Sequence, residues 1–136
     1  MLKMIKGRIK HSGLLQADVT ADVNSASVDL QDFNSLALLF SIGAFTPSGT
    51  DKAVLKVEHS DDNVTFVACD ASDLDNPESA NIVKTIDTGS EDDQMYEIHY
   101  KGEKRYVRGV IDVSGTVDFA ASIVGVLGYP ELMPPL

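Results

Sequence analysis

The alternation of side chains in residues 95–113 limits the possible folds of this chain more than any other feature of its sequence. Each half of this stretch has one apolar or small face, made of Tyr96, Ile98 and Tyr100 in the first half and of Val107, Gly109, Ile111 and Val113 in the second. Successive side chains of a strand point to opposite faces, so a period of two predicts two half-buried strands. The polar residues 101–104 are typical of a four-residue hairpin loop. We therefore predict an antiparallel hairpin.

Residues 119–128 differ from this hairpin because they are apolar on both faces. Such a run is typical of a central strand that is covered on both sides. It ends at Tyr129-Pro130, where proline cannot donate a hydrogen bond to a neighbouring strand. We predict a central strand, buried on both sides, over residues 119–128.

Short strands separated by turns are predicted through the rest of the chain, at residues 14–22, 26–30, 36–42, 53–60, 64–69 and 82–86. The sequence Asp61-Asp62-Asn63 predicts a tight turn between two of them, because these side chains bond to their own backbone. Residues 71–74 are compatible with one helical turn. Strands at this spacing predict an all-β fold, an antiparallel β-sandwich of jelly-roll type.

The length of 136 residues is that of one domain with a continuous core. We divide the chain into an extended N-terminal arm at residues 1–13 and a single β-sandwich domain at residues 14–136. There is no run of 18 apolar residues, so we expect no transmembrane helix and no membrane partner.

Charge is unevenly distributed along the chain. Residues 1–11 carry four basic side chains and no acid, although the whole chain has a net charge of −10. The remainder therefore has a net charge of −14, and a phosphate backbone would be repelled by it. We expect no nucleic-acid partner. The basic arm is open to two interpretations, a disordered terminus or a segment that orders against another subunit.

The chain has few residues of the types that bind metals or act as nucleophiles. His11, His59 and His99 lack the spacing of a metal site, and His59 beside the 61–62 turn is interpreted as a solvated turn residue. Cys69 is the single cysteine, and we interpret it as a small packing residue. We therefore expect no catalytic residues, no metal, no cofactor and no enzymatic activity.

Tyr106 and Arg108 share the outward face of their predicted strand and are open to two interpretations. Arg105 and Arg108 can simply face solvent and pair with nearby acids. Alternatively, Tyr106 and Arg108 are candidates for a subunit contact, because interfaces are enriched in tyrosine and arginine.

Four segments of the chain resemble a family of small tailed-bacteriophage proteins, the capsid decoration or cement proteins. They are the strand–turn–strand at residues 55–66, the segment Tyr-Lys-Gly-Glu-Lys-Arg-Tyr-Val-Arg at 100–108, the closing strand with its Gly-Tyr-Pro stop at 124–130, and the opening pair at 28–38. The resemblance spans about residues 26–130. It does not include the basic arm.

The resemblance implies a structural virion protein, a jelly-roll β-sandwich that binds the exterior of the mature capsid as a small homo-oligomer, a dimer or trimer. The partner it implies is the phage major capsid protein, and synthesis takes place in the bacterial host cytoplasm. No catalytic residues come with the family. A phage tail or neck protein is the alternative, and a carbohydrate-binding β-sandwich module is disfavoured because tryptophan is absent.

The arm is our candidate for the capsid contact, on charge and apolar content rather than on the resemblance. The residues proposed for this contact are Lys3, Met4, Ile5, Lys6, Arg8, Ile9 and Lys10. Basic side chains would relieve repulsion between the acidic domain and an acidic shell, and burial of the aliphatic ones would add to the affinity.

Overall fold

The structure, a computed structural model, describes residues 10–130, and its side chains are described over residues 10–128. This part of the chain is almost entirely strand. The strands are β1 (Lys10–Val19), β2 (Val23–Asn24), β3 (Val28–Asp29), β4 (Phe33–Ile42), β5 (Lys52–Ser60), β6 (Val67–Ala68), β7 (Leu74–Asp75), β8 (Ile82–Ile86), β9 (Gln94–Tyr100), β10 (Tyr106–Ser114) and β11 (Phe119–Pro130). A 3₁₀ turn at Ala71–Asp73 lies where one helical turn was predicted. No helix in the described residues has the length and apolar content needed to cross a membrane.

The strands form two antiparallel sheets that pack as a sandwich, which confirms the predicted fold class. The five-stranded sheet has the order β1-β11-β4-β9-β7. In the six-stranded sheet, β10 lies between β5 and the short strands β2 and β3, and β5 also pairs with β6 and β8. The chain therefore alternates between the two sheets, with β2 and β3, and then β5 and β6, as consecutive strands of the six-stranded sheet, and the first and last strands are neighbours. This order is that of a jelly roll.

The core lies between the two sheets and is made by the inward positions of each strand. On β4 these are Leu36, Leu38, Phe40 and Ile42, and on β5 they are Ala53, Leu55 and Val57. Gly109 of β10 faces the same core, where an added Cβ would lie 2.9 Å from Cδ1 of Ile123. The predicted period of two therefore identified the inward faces of the long strands.

The predicted hairpin at residues 95–113 is wrong. Its two strands exist as β9 and β10, but β9 pairs with β4 and β7, whereas β10 pairs with β5, β2 and β3. The loop at residues 101–105 crosses from one sheet to the other. The crossing preserves the inward faces, because Tyr100 and Val107 are both buried in the core from opposite sheets.

The predicted return strand at residues 64–69 is also mostly loop, and only Val67–Ala68 is a strand. Side chains of the turn accept hydrogen bonds from the backbone N–H groups that would otherwise bond to a neighbouring strand. The Asp62 carboxylate accepts bonds from the amides of Val64 and Thr65, and the Ser60 hydroxyl accepts those of Asp62 and Asn63. Val64 is consequently 81% exposed.

Strand β11 has the central position predicted for it, between β1 and β4, but it is not covered on both sides within the described residues. Its inward residues are buried, whereas Ala120 is exposed and Val124 and Val126 are half-buried on the outside. Residues 10–13, predicted as part of the arm, belong to β1 and pair with β11.

Candidate functional site

Among the residues whose side chains the structure describes, the adjacent strands β11 and β4 carry no charged side chain on the outer face of the five-stranded sheet. Its residues, which we call the uncharged face, are Ala37, Leu39 and Ser41 of β4 and Ala120, Ser122, Val124 and Val126 of β11. Leu39 lies directly opposite Val124, and Ala37 directly opposite Val126. These four side chains form one half-buried aliphatic patch.

Polar and charged residues surround the uncharged face on the flanking strands. On one side β1 presents Gln16 and Asp18, which pair with Ser122 and Ala120. On the other side β9 presents Glu97 and His99, which pair with Leu39 and Ala37. Met95, on the same outward side of β9, is 63% exposed and extends the apolar surface. An apolar patch with a polar rim is typical of an interaction surface.

The outer face of the six-stranded sheet is charged, and two ion pairs on it form between β5 and β10. Arg108 lies 2.6 Å from Oε2 of Glu58, and its guanidinium is 4.1 Å from the centre of the Phe66 ring. Lys56 lies 2.6 Å from Oδ2 of Asp112 on the neighbouring strand. Arg108 and Lys56 of this face therefore already have acidic partners within the chain.

Tyr106 and Arg108, the predicted subunit-contact candidates, both lie on this charged face. The interpretation that Arg105 and Arg108 pair with nearby acids is confirmed, because Arg105 donates to both carboxylate oxygens of Asp29 at 2.9 Å and Arg108 pairs with Glu58. The Tyr106 ring lies beneath Arg105, 5.1 Å from its guanidinium carbon. A subunit contact through this face stays a prediction.

The arm residues proposed for capsid contact lie outside the described residues, with one exception. Lys10 is exposed at the start of β1, where it pairs with Leu127 of β11. Lys3, Met4, Ile5, Lys6, Arg8 and Ile9 precede the described part of the chain. The proposed role of the arm stays a prediction.

A second candidate site is a buried polar cluster at one end of the sandwich, made of His59, Cys69, Asp73 and Tyr100. His59 comes from β5 and Tyr100 from β9, so the two sheets contribute one residue each. Nδ1 of His59 lies 2.9 Å from the Tyr100 hydroxyl, with the rings edge to face. The Tyr100 oxygen also accepts a bond from the backbone N–H of Lys104 at 3.1 Å.

Cys69 and Asp73 complete the buried polar cluster from the loop that crosses this end of the sandwich. Cys69 is 2% exposed, and Oδ2 of Asp73 lies 4.0 Å from Nδ1 of His59. One potential ligand atom from each of His59, Cys69 and Asp73 lies within 4.8 Å of the others. A depression lined by Asp61, Asp70 and Lys104 opens this end of the cluster to solvent.

Burial is the largest cause of the pKa shifts of three members of the cluster, His59, Cys69 and Tyr100. It lowers the pKa of His59, against the opposing effect of the Asp73 carboxylate. It raises the pKa of the Cys69 thiol to about 12, with a further contribution from Asp73 and Asp70. Burial also raises the pKa of Tyr100 to about 12. At neutral pH the imidazole is therefore uncharged, and both the thiol and the phenol keep their protons.

The interpretation of His59 as a solvated turn residue is wrong. The residue is 7% exposed, because it continues the inward series of Leu55 and Val57 along β5. That alternation was visible in the sequence and was the signal for burial. The contact with Tyr100, 41 residues away, had no local signal.

Comparisons with known proteins give little further information. No family model and no curated protein matches the chain. A chain from the structure of infectious bursal disease virus Gx strain is similar over 93% of this chain, with 18% identity and a TM-score of 0.32. The match spans 34% of that viral chain. A TM-score this low does not establish a shared fold or function.

Proposed function

We propose that this chain is a structural virion protein that binds the outer surface of a phage capsid and stabilises it. The observation that carries the proposal is the uncharged face. An antiparallel sheet that faces water normally alternates apolar and polar residues. Outward positions of β4 and β11 instead hold Ala37, Leu39, Val124 and Val126 at the centre of the sheet.

The charge of the chain favours this face over the rest of the surface as the docking surface. Residues 12–136 have a net charge of −14, so an acidic partner would be repelled by most of the domain. At the uncharged face a partner meets aliphatic and hydroxyl side chains, and no carboxylate has to lose its hydration there. Each aliphatic side chain that goes from half-buried to buried contributes a part of the roughly 1.5–3 kcal/mol of complete burial.

The resemblance to capsid decoration proteins supports the same surface. Its closing segment, residues 124–130, is part of β11 and includes Val124 and Val126 of the uncharged face. Its segment at residues 100–108 includes the crossing between the sheets and begins with Tyr100 of the buried polar cluster. Of the segments that resemble the family, one therefore contains the loop that crosses between the sheets, and another contributes to the candidate docking surface.

In this function the chain has no catalytic role and acts through binding alone. It would bind the major capsid protein of the assembled, expanded shell, as a small homo-oligomer on the capsid exterior. A protein that binds one state and not another stabilises the first by mass action, by about 2.7 kcal/mol when its free concentration is 100 times the dissociation constant.

Cosedimentation with purified heads of the encoding phage tests the proposal. We expect saturable binding to expanded heads, weaker binding to unexpanded heads, and a higher disruption temperature for decorated heads. Purified tails serve as the second target. Binding to tails and not to heads would replace the proposal with the alternative of a tail or neck protein, and binding to neither would contradict both.

A further inference from the structure

We propose that the buried polar cluster is a binding site for a soft divalent cation of the Zn²⁺ type, with His59, Cys69 and Asp73 as ligands. The proposal replaces the expectation, made from sequence spacing, that the chain binds no metal. It concerns a different part of the molecule from the uncharged face and does not depend on the proposed function.

The separation of the ligand atoms supports the site. One atom from each of the three residues lies within 4.8 Å of the others, and the His59 Nδ1 to Asp73 Oδ2 distance is 4.0 Å. Zinc binds sulfur at about 2.3 Å and nitrogen or oxygen at about 2.0–2.2 Å, which places tetrahedral ligand atoms roughly 3.3–3.8 Å apart. A contraction of at most about 1.5 Å in these separations would therefore form the site.

Asp73 is the most solvent-exposed of the three ligands. Asp73 ends the 3₁₀ turn, and its side chain is 23% exposed, whereas His59 and Cys69 are held in the core. The Asp70 amide donates to Oδ2 of Asp73 at 3.0 Å, which orients the carboxylate and leaves lone pairs for a cation. The Tyr100 hydroxyl lies 2.9 Å from Nδ1 of His59, so coordination through Nδ1 would replace this hydrogen bond, whereas coordination through Nε2 would keep it.

The chemistry of the ligands selects the class of cation. On binding the cation, Cys69 would release its thiol proton to solvent and coordinate as the thiolate. A thiolate, an imidazole and a carboxylate are together typical of zinc, whereas calcium and magnesium take oxygen ligands. The opening to solvent is lined by Asp61 and Asp70, together with Lys101 and Lys104. Lys104 is paired with Asp61, at 2.7 Å, so part of its charge is already compensated.

A cation bound here would join three parts of the fold. Cys69 follows β6, Asp73 lies in the 3₁₀ turn, and His59 belongs to β5. Through Tyr100 the site also contacts the five-stranded sheet. Such a cation would stabilise the folded state by an amount that rises with the logarithm of its free concentration once this exceeds the dissociation constant.

Titration of the metal-stripped protein with Co²⁺ tests the site. We expect one Co²⁺ per chain, tetrahedral absorption bands in the visible region, a thiolate-to-cobalt charge-transfer band in the near ultraviolet, and displacement by Zn²⁺. Cys69→Ser should abolish the charge-transfer band. Asp73→Asn should weaken Co²⁺ binding at least about tenfold.

Asp75→Asn is the matched control, because it makes the same change at an exposed position on β7. It should bind Co²⁺ like the wild type. The proposal is overturned if wild-type protein binds neither Co²⁺ nor Zn²⁺, if Co²⁺ binds without a charge-transfer band, or if Asp73→Asn binds as tightly as Asp75→Asn. Should Cys69→Ser fail to fold, the wild-type spectrum and the Asp73 variant still decide the question.

Discussion

The hydroxyl oxygen of Tyr100 lies 2.9 Å from Nδ1 of His59, and this contact joins the two sheets at one end of the sandwich. The same oxygen accepts the backbone N–H of Lys104, in the loop that crosses between the sheets. The Tyr100 hydroxyl is therefore the hydrogen-bond partner of both the buried His59 ring and the Lys104 amide.

Removal of this hydroxyl should destabilise the fold. Tyr100→Phe leaves the ring in place but deprives His59 and the Lys104 amide of their partner, and each unsatisfied buried group costs about 1–3 kcal/mol. We expect the free energy of unfolding in urea to fall by at least about 1 kcal/mol. Tyr106→Phe, at a half-buried surface position, is the control and should cost less. Equal stabilities of the two variants would show that the hydroxyl contact contributes nothing.

Glu91 gives the stability of the protein a specific pH dependence. Lys84, together with the amides of Asp87 and Thr88, lowers the pKa of this carboxyl from 4.5 to about 2. Because the pKa is lower in the folded state, the stabilisation is fully present above pH 4.5 and is lost as the pH falls from 4.5 towards 2. Glu91→Gln should therefore lower the free energy of unfolding at pH 7 by about 1–2 kcal/mol.

The pH series distinguishes this ionic effect from a simple loss of packing. The difference between wild type and Glu91→Gln should shrink as the pH falls from 4.5 towards 2. Glu103→Gln, at an exposed position, is the control and should differ little from wild type at any pH. A Glu91→Gln difference that stays constant with pH would argue against an ionic origin.

The sequence predicted which side of each long strand faces the core, but not which strands pair. A four-residue polar loop serves a hairpin and a crossing between sheets equally well, because both place Tyr100 and Val107 towards the core. Pairing depends on contacts far apart in the chain, such as Val107 opposite His59. Local periodicity contains no information about these contacts.

The outer face of β11 illustrates a second limit of sequence reasoning. Val124 and Val126 are apolar on the outer side of this strand, and in the proposed docking a partner would cover them. They were taken to predict cover from the same chain, whereas the described residues leave them half-buried. A sequence does not distinguish an outer face covered by its own chain from one covered by a partner.

Deletion of residues 1–9 tests the predicted role of the arm. The sandwich should stay folded, because the deletion leaves every strand of the described residues 10–130 intact. Capsid binding should weaken. The wild-type affinity should fall with added salt, because salt screens the charge contacts expected of Lys3, Lys6 and Arg8. Replacement of these three residues by alanine should weaken binding less than the deletion, because Met4, Ile5 and Ile9 are retained. Unchanged capsid affinity after deletion would exclude the arm from the contact.

The docking role of the uncharged face is tested most directly by cosedimentation of Val124→Glu with expanded heads of the phage that the proposed function implies. An unpaired carboxylate in a closed interface costs about 3 kcal/mol or more, so we predict that affinity falls at least about 100-fold while the circular dichroism spectrum is unchanged. Val64→Glu makes the same substitution at an 81% exposed position in the loop after β5, and it should bind like the wild type. Wild-type affinity of Val124→Glu would contradict docking through this face.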